Sequence, residues 1–166
     1  MTADAPTHEE LLPLVAAASS VADYGSLRPW RLIEIRGEAR DKLGEAFADA
    51  SDADSKERAK LIEKTHRSSL LLAIVASRKP SSKVTHWEQD ATAAGVAHTL
   101  SLLLNEAGWG VMWRTGRLVR TKQVRKVHKL ADNEELLGWF YIGGIPEKTK
   151  PEKKHKFDAE RVLSVL

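Results

Sequence analysis

Three consecutive residues in the second half of the chain, Trp113, Arg114 and Thr115, combine an aromatic ring, a cation and a hydroxyl. Gly108 and Gly110 precede them, and Gly116 follows directly after Thr115. Glycine lets backbone groups approach a planar ligand closely, and the arginine fork of donors matches phosphate. The cluster therefore suits a planar, phosphorylated ligand. From sequence alone, however, a tryptophan such as Trp113 is as often a core residue as a ligand contact, and an arginine such as Arg114 more often lies on the surface than binds a cofactor.

Other chemistries find no support in the residue types. The chain has no cysteine, which excludes disulfides, thiolate nucleophiles and zinc–thiolate sites. Its six histidines show no metal-like spacing, so we predict no metal site. Gly-x-Ser-x-Gly, P-loop and Gly-x-Gly-x-x-Gly patterns are also absent from the sequence. We therefore name no catalytic side chain.

Length and composition predict a single domain over residues 1–166, with 42% hydrophobic residues to build a core. The first ten residues carry no apolar signal-type stretch, and the apolar run Leu70–Ala76 is too short to cross a bilayer. Together with the lack of cysteine, this favours a cytoplasmic protein without a membrane partner. The net charge of +3 includes basic clusters at Arg114–Lys129 and Lys148–Lys156. Such clusters are usually solvated faces, so we favour that interpretation over nucleic-acid binding.

Hydrophobic periodicity predicts alternating helices and strands around one sheet, an α/β or α+β class. Helices are expected over Glu9–Ala22, Glu38–Ala50, Trp87–Ala107 and Lys122–Ala131, and another after the acidic break Ser51–Ser55, with Ser55 as its cap. Strands are expected over Trp30–Arg36, Ser69–Ser77, Val111–Trp113 and Leu136–Ile142.

Four motifs in order resemble those of the small FMN-dependent NAD(P)H nitroreductases. The family's Pro-Asp-His-x-Ser-x-x-Pro-Trp turn is similar to Ala22–Trp30, and its Arg-Trp-Glu-Gln to the residues His86–Gln89. Its Gly-Gly-Ile-Trp-Arg-Ser-Gly is similar to Gly110–Gly116, and its Gly-Phe-Leu-Tyr-Leu-Gly-x-Pro to Gly138–Pro146. Order and spacing agree from Glu10 to about Lys148, most of the chain.

The resemblance implies an α+β nitroreductase fold: a central, mostly antiparallel sheet flanked by helices, built as a homodimer with FMN at the subunit interface. Leu70–Ala76 and Leu136–Ile142 would be inner strands, and Trp87–Ala107 would lie at the dimer core. Residues Val162–Leu166 would add a strand to the partner's sheet. NADH or NADPH would reduce the flavin, which would reduce a small nitro or quinone acceptor.

By the same resemblance, Trp113, Arg114 and Thr115 would hold the flavin ring edge and ribityl chain, and Ser20, Tyr24 and Ser26 would approach from the turn. The chain departs from the family's pattern at the phosphate-binding Arg-Arg-Ser, which it lacks. The family's arginine and histidine near the turn correspond here to Ser20 and Tyr24. FMN binding would then be weakened or absent unless other cations compensate; the candidates are Arg114, Arg117, Lys150, Lys153 and Lys154. The alternative to an FMN-dependent oxidoreductase is a non-catalytic protein of the same fold.

Overall fold

The computed structural model describes residues 1–147 and 157–165, and its strands form one antiparallel sheet in the order β1-β2-β4-β3. The strands are β1 (Trp30–Ile35), β2 (Leu70–Ser77), β3 (Trp109–Arg114) and β4 (Glu134–Gly144). The helices in these ranges are α1 (His8–Ala18), α2 (Ala39–Asp49), α3 (Ser55–Thr65), α4 (His86–Glu106) and α5 (Lys122–Val127). The predicted α+β class is confirmed, and β2 and β4 are the inner strands as expected.

Helices cover both faces of the sheet. Helices α1 and α4 pack on the face that carries Leu72, Phe140 and Ile142. Helices α2, α3 and α5 pack on the face that carries Trp139 and Tyr141. Strand β2 is buried at every position because it has a strand on each side and helices above and below.

Side-chain caps fix where the helices begin. Thr7 and Glu10 form a capping box at α1, and Thr85 and Glu88 form another at α4. Helix α3 is capped by Asp54, whose carboxylate accepts from the Glu57 N–H at 2.8 Å. The predicted cap Ser55 was therefore one residue late, and it is the first helical residue instead.

Two predicted helices ran too far at their C-terminal ends. Helix α1 stops at Ala18 rather than Ala22, and the Ser19 hydroxyl there donates to the Ala16 carbonyl at 2.6 Å. Helix α5 stops at Val127 rather than Ala131, because Lys129 has a φ of +51°, which the helix cannot contain.

Strand β4 bends at a bulge next to the end of β3. The β2–β4 register shifts between Ile74 and Val75, which leaves one extra residue in β4 before Gly138. Gly138 has a φ of +129°, and a Cβ there would lie 2.4 Å from the Arg114 carbonyl oxygen. Only glycine fits, because both the backbone angle and the space exclude a side chain.

No helix of the described ranges is long and apolar enough to cross a membrane. The C-terminal residues 162–165 form no strand within this chain, and the side chains of Val162, Leu163 and Val165 are exposed. Their predicted pairing with a partner's sheet stays a prediction. Leu166 and the tail lysines 150, 153 and 154 lie outside the described residues.

Candidate functional site

A cleft of about 350 Å³ opens where β3 ends, between that strand end and helices α2 and α3. We call it the Arg114 cleft. Its volume falls within the range of about 300–1,000 Å³ typical of small-molecule sites. The lining residues are Phe47, Ser51, Glu57, Leu61, Lys64, Arg67, Arg114, Thr115, Gly116, Arg117, Leu118, Val119, Trp139 and Tyr141.

The floor of the Arg114 cleft is aromatic and rigidly packed. Phe47 of α2 and Trp139 of β4 meet edge to face, with ring centroids 5.2 Å apart. Leu61 and Val119 are also buried and continue the apolar surface. This floor offers an apolar surface to a planar ligand.

Trp139 is held in place from behind by His128. The Trp139 indole N–H donates to His128 Nε2 at 2.9 Å, and His128 Nδ1 lies 2.8 Å from the Val124 carbonyl oxygen. An indole N–H can only donate, so His128 Nε2 must accept, and the ring proton resides on Nδ1. Burial lowers the pKa of His128, which favours this neutral form. The histidine is therefore structural, and it fixes the orientation of the floor.

The rim of the cleft carries four cations, Lys64, Arg67, Arg114 and Arg117, against one carboxylate, Glu57. No carboxylate of the described residues forms a salt bridge with these four cations. Of the nine described arginines outside the cleft, seven contact an aspartate or glutamate, namely Arg31, Arg36, Arg58, Arg78, Arg120, Arg125 and Arg161, whereas Arg28 and Arg40 do not. The cleft thus concentrates unneutralised positive charge, which favours an anionic ligand.

Arg114 and Thr115 both line the cleft, and their role in ligand binding stays a prediction. The Arg114 guanidinium carbon lies 5.9 Å from the centre of the Tyr141 ring. Burial raises the pKa of the Tyr141 phenol, and the charges of Arg114 and Arg67 partly oppose that rise. Next to them Gly116 has a φ of +138°, a conformation that suits glycine and turns the chain along the rim.

Trp113 lies on the opposite face of the sheet. Successive side chains of a strand point to opposite faces, so Trp113 faces α4 where Arg114 faces the cleft. Its ring packs edge to face on Phe140 and on His98, at centroid distances of 5.5 and 5.0 Å. Its buried Nε1 has no hydrogen-bond partner among the described residues. The structure therefore does not bring the Trp113 ring into the cleft with its two neighbours.

The turn that carries Ser20, Tyr24 and Ser26 lies near the first half of α4, and none of the three lines the Arg114 cleft. The Asp23 carboxylate accepts from the Leu27 and Arg28 N–H groups at 3.3 and 2.7 Å and holds the turn closed. Tyr24 is 64% exposed. Within one chain, the two predicted halves of the site therefore remain apart.

Sequence reasoning missed Lys64 and Arg67 as site residues. Lys64 lies in the last turn of α3 and Arg67 two residues beyond the helix, and basic residues near a helix C-terminus are common and carry no functional signal. They reach the cleft only because α3 packs closely on α2. Gly44 of α2 permits this approach, since a Cβ there would lie 2.6 Å from the Ile62 Cα.

The arrangement can bind a planar anionic molecule but offers no metal site. No group of three or more potential metal-binding side chains occurs among the described residues. The cleft also lacks a histidine or cysteine among its lining residues. Its chemistry is therefore that of a binding site, in which a bound molecule would have to supply the reactive group.

A family model described as the nitroreductase family matches residues 2–144. The "Putative NAD(P)H nitroreductase YdjA" of Escherichia coli strain K12 is 29% identical over 142 residues, 84% of this chain and 78% of that protein. A nitroreductase-like family protein from Bacillus cereus superposes with a TM-score of 0.84 at 21% identity, over 100% of this chain and 88% of the other. The FMN and NADPH-dependent nitroreductase NfnB, from a strain named sphigopyxis sp. HMH, superposes with a TM-score of 0.73 at 17% identity, over 98% and 92% of the two chains.

Proposed function

Since the chain belongs to the nitroreductase family, with relatives named as NAD(P)H nitroreductases, we propose that it is an FMN-dependent oxidoreductase whose flavin binds in the Arg114 cleft. In this proposal NADH or NADPH donates the electrons, and a small nitro or quinone compound accepts them. The observation that carries the proposal is the combination of an aromatic floor with four cations that lack a carboxylate partner among the described residues.

The residues of the cleft fit a flavin mononucleotide in shape and charge. Phe47, Trp139 and Tyr141 provide an apolar surface for the ring system. Arg114 and Thr115 stand beside that surface and supply donors for the polar edge of the ring and the ribityl chain. The remaining rim cations face an anionic phosphate with little competition, because Glu57 is the one carboxylate among the lining residues of the described cleft.

The flavin, when bound, supplies hydride and electron transfer, so the protein needs no nucleophile or acid–base pair of its own. The side chains of this chain bind and orient. Arg114 places positive charge beside the ring site, where it favours negative charge on the ligand. His128 holds Trp139, and the aromatic floor excludes water from one face of the site.

We further propose that the active form is a homodimer in which Ser20, Tyr24 and Ser26 of the partner subunit complete each site. Support comes from their separation from the cleft of their own chain and from the exposure of Tyr24. The exposed apolar side chains Trp87 and Leu102 on α4 are also consistent with a subunit contact.

The first test is an absorbance spectrum of the purified protein, followed by a titration with FMN that is monitored by fluorescence. A flavin spectrum, or saturable quenching at one FMN per chain, is the expected result. Oxidation of NADH and NADPH with a nitroaromatic and a quinone acceptor then identifies the donor and the acceptor class. A colourless protein that does not respond to saturating FMN would refute the flavoenzyme and leave the non-catalytic alternative.

A further inference from the structure

We propose that Lys64, Arg67 and Arg117 bind the phosphate of the flavin, so that the Arg114 cleft selects FMN over unphosphorylated riboflavin. This inference rests on the proposed function, and it assigns to three residues a role that neither the fold nor the family match gives them.

The three cations approach the cleft from two sides. Lys64 lies in the last turn of α3 and Arg67 follows two residues after the helix ends. Arg117 begins the short 3-10 turn that follows β3, across the cleft from α3. Arg114 lies over the Tyr141 ring, which assigns it to the aromatic part of the site, and Arg67 is close enough to act on the Tyr141 phenol as well. A phosphate between the two sides would meet donors from both.

The charge balance of the molecule supports this assignment. No aspartate or glutamate of the described ranges pairs with Arg67 or Arg117, whereas seven of the nine described arginines outside the cleft have such a partner. Lys64 is also unpaired, as are the other described lysines. Like charges gathered in one cleft repel each other. A phosphate monoester carries a charge of about −1.5 to −2 at pH 7 and relieves that repulsion.

The dipole of α3 does not attract a phosphate at this place. The end of α3 that borders the cations is its C-terminal end, and the helix dipole there is negative. The positive charge that attracts a phosphate in this position therefore comes from side chains rather than from the helix end. The competing explanation for Lys64 is that it merely stabilises the end of α3, and this role would affect stability but not ligand choice.

The test compares the affinities for FMN and riboflavin, measured by quenching of flavin fluorescence on the full chain at low and high salt. We expect FMN to bind at least tenfold more tightly than riboflavin at low salt, because each charge-assisted contact contributes about tenfold in affinity. The difference should narrow as salt rises, since salt screens exposed charges. Equal affinity for the two flavins would overturn the inference while leaving the proposed function intact. Binding of neither flavin would overturn both.

Single variants then test the three residues. Lys64→Gln, Arg67→Gln and Arg117→Gln should each weaken FMN binding by about five- to twentyfold and leave riboflavin affinity within about twofold. Matched controls are Lys60→Gln, an exposed lysine one turn earlier on α3, and Lys122→Gln at the start of α5; neither side chain lines the cleft. Thermal unfolding of each variant reports any loss of stability separately. If the ratio of the two affinities is unchanged in all three variants, other groups hold the phosphate and the inference is wrong.

Discussion

Arginine has opposite roles at two places along β4. Where the strand begins, Arg31 of β1 donates two hydrogen bonds to the carboxylate of Glu134, at 2.6 and 2.7 Å. The Ala131 N–H also donates to that carboxylate, at 3.1 Å. Farther along β4, Trp139 and Tyr141 form the floor of the Arg114 cleft, where the arginines have no carboxylate partner among the described residues.

The charge of Arg31 stabilises the fold through its pair with Glu134, whereas the charges of the cleft arginines remain available to a ligand. Glu134 has a side chain only 8% exposed, and a buried carboxylate requires a partner. The Arg31 guanidinium holds the pKa of Glu134 down at about 2, so the pair persists over the whole physiological range. The cleft arginines are exposed, so water solvates them until an anion binds.

We expect the largest effect on stability from a substitution in β4, the strand that contributes to both regions. Gly138→Ala would force a side chain into a φ of +129° and against the Arg114 carbonyl oxygen. We expect it to lower the free energy of unfolding by about 3 kcal/mol or more and to weaken flavin binding as well. Urea unfolding and flavin titration measure the two losses.

Gly37→Ala is the matched control, because Gly37 also has a positive φ but has no atom within 4 Å of the position that a Cβ would take. It should cost only about 1–2 kcal/mol, the strain of the left-handed backbone alone. Equal losses in the two variants would mean that the bulge at Gly138 tolerates a side chain.

Glu134→Gln tests the paired region alone. It removes the carboxylate charge and one of the two oxygens that accept from Arg31, and we expect a loss of about 2 kcal/mol in unfolding free energy with unchanged FMN affinity. Asp158→Asn, which removes the partner of Arg161 in an exposed pair, should change stability by less than about 0.5 kcal/mol. A fall in FMN affinity with Glu134→Gln would contradict the separation of the two regions.

The same pair predicts an acid dependence. The pKa of Glu134 is depressed in the folded protein to about 2 from an ordinary value of 4.5, so its contribution is present above pH 4.5 and is lost as the pH falls towards 2. Wild-type stability should therefore decline more steeply through this window than that of Glu134→Gln. Parallel pH profiles for the two proteins would show that the pair contributes nothing.

Arg114→Gln tests the Arg114 cleft, and we expect the opposite of the result for Glu134→Gln: unchanged stability and weaker FMN binding. Because Arg114 is exposed and has no salt-bridge partner in the described ranges, the unfolding free energy should change by less than about 0.5 kcal/mol. FMN affinity should fall about tenfold through the lost charge-assisted contact. Arg31→Gln is the counterpart, expected to lose stability and keep its affinity. An unchanged affinity in Arg114→Gln would remove that residue from the flavin site.

The fold was more predictable than the site, for physical reasons. The continuous apolar run of β2 depends on local sequence, and the structure buries that strand at every position. The four motifs also depend on local sequence, and the family model matches the chain over residues 2–144. Lys64 and Arg67 become site residues only through the contact of Gly44 with Ile62 between α2 and α3, which no local pattern announces. The predicted cluster at the end of β3 was interpreted as one unit, although the alternation of a strand separates Trp113 from Arg114.

Trp113→Phe tests whether only the Arg114 face of β3 serves the ligand, and we expect it to have the smallest effect on stability and flavin binding. The indole N–H of Trp113 is buried without a partner in the described structure, so its removal offsets part of the lost packing on Phe140. We expect stability to change by less than about 1 kcal/mol and flavin affinity to stay the same.

Trp139→Phe is the contrasting variant, because it leaves His128 Nε2 buried and unpaired and removes part of the cleft floor. It should cost about 2 kcal/mol and weaken flavin binding. A loss of affinity in Trp113→Phe equal to that in Trp139→Phe would mean that both faces of β3 serve the ligand, and the assignment of function to one face of the sheet would then fail.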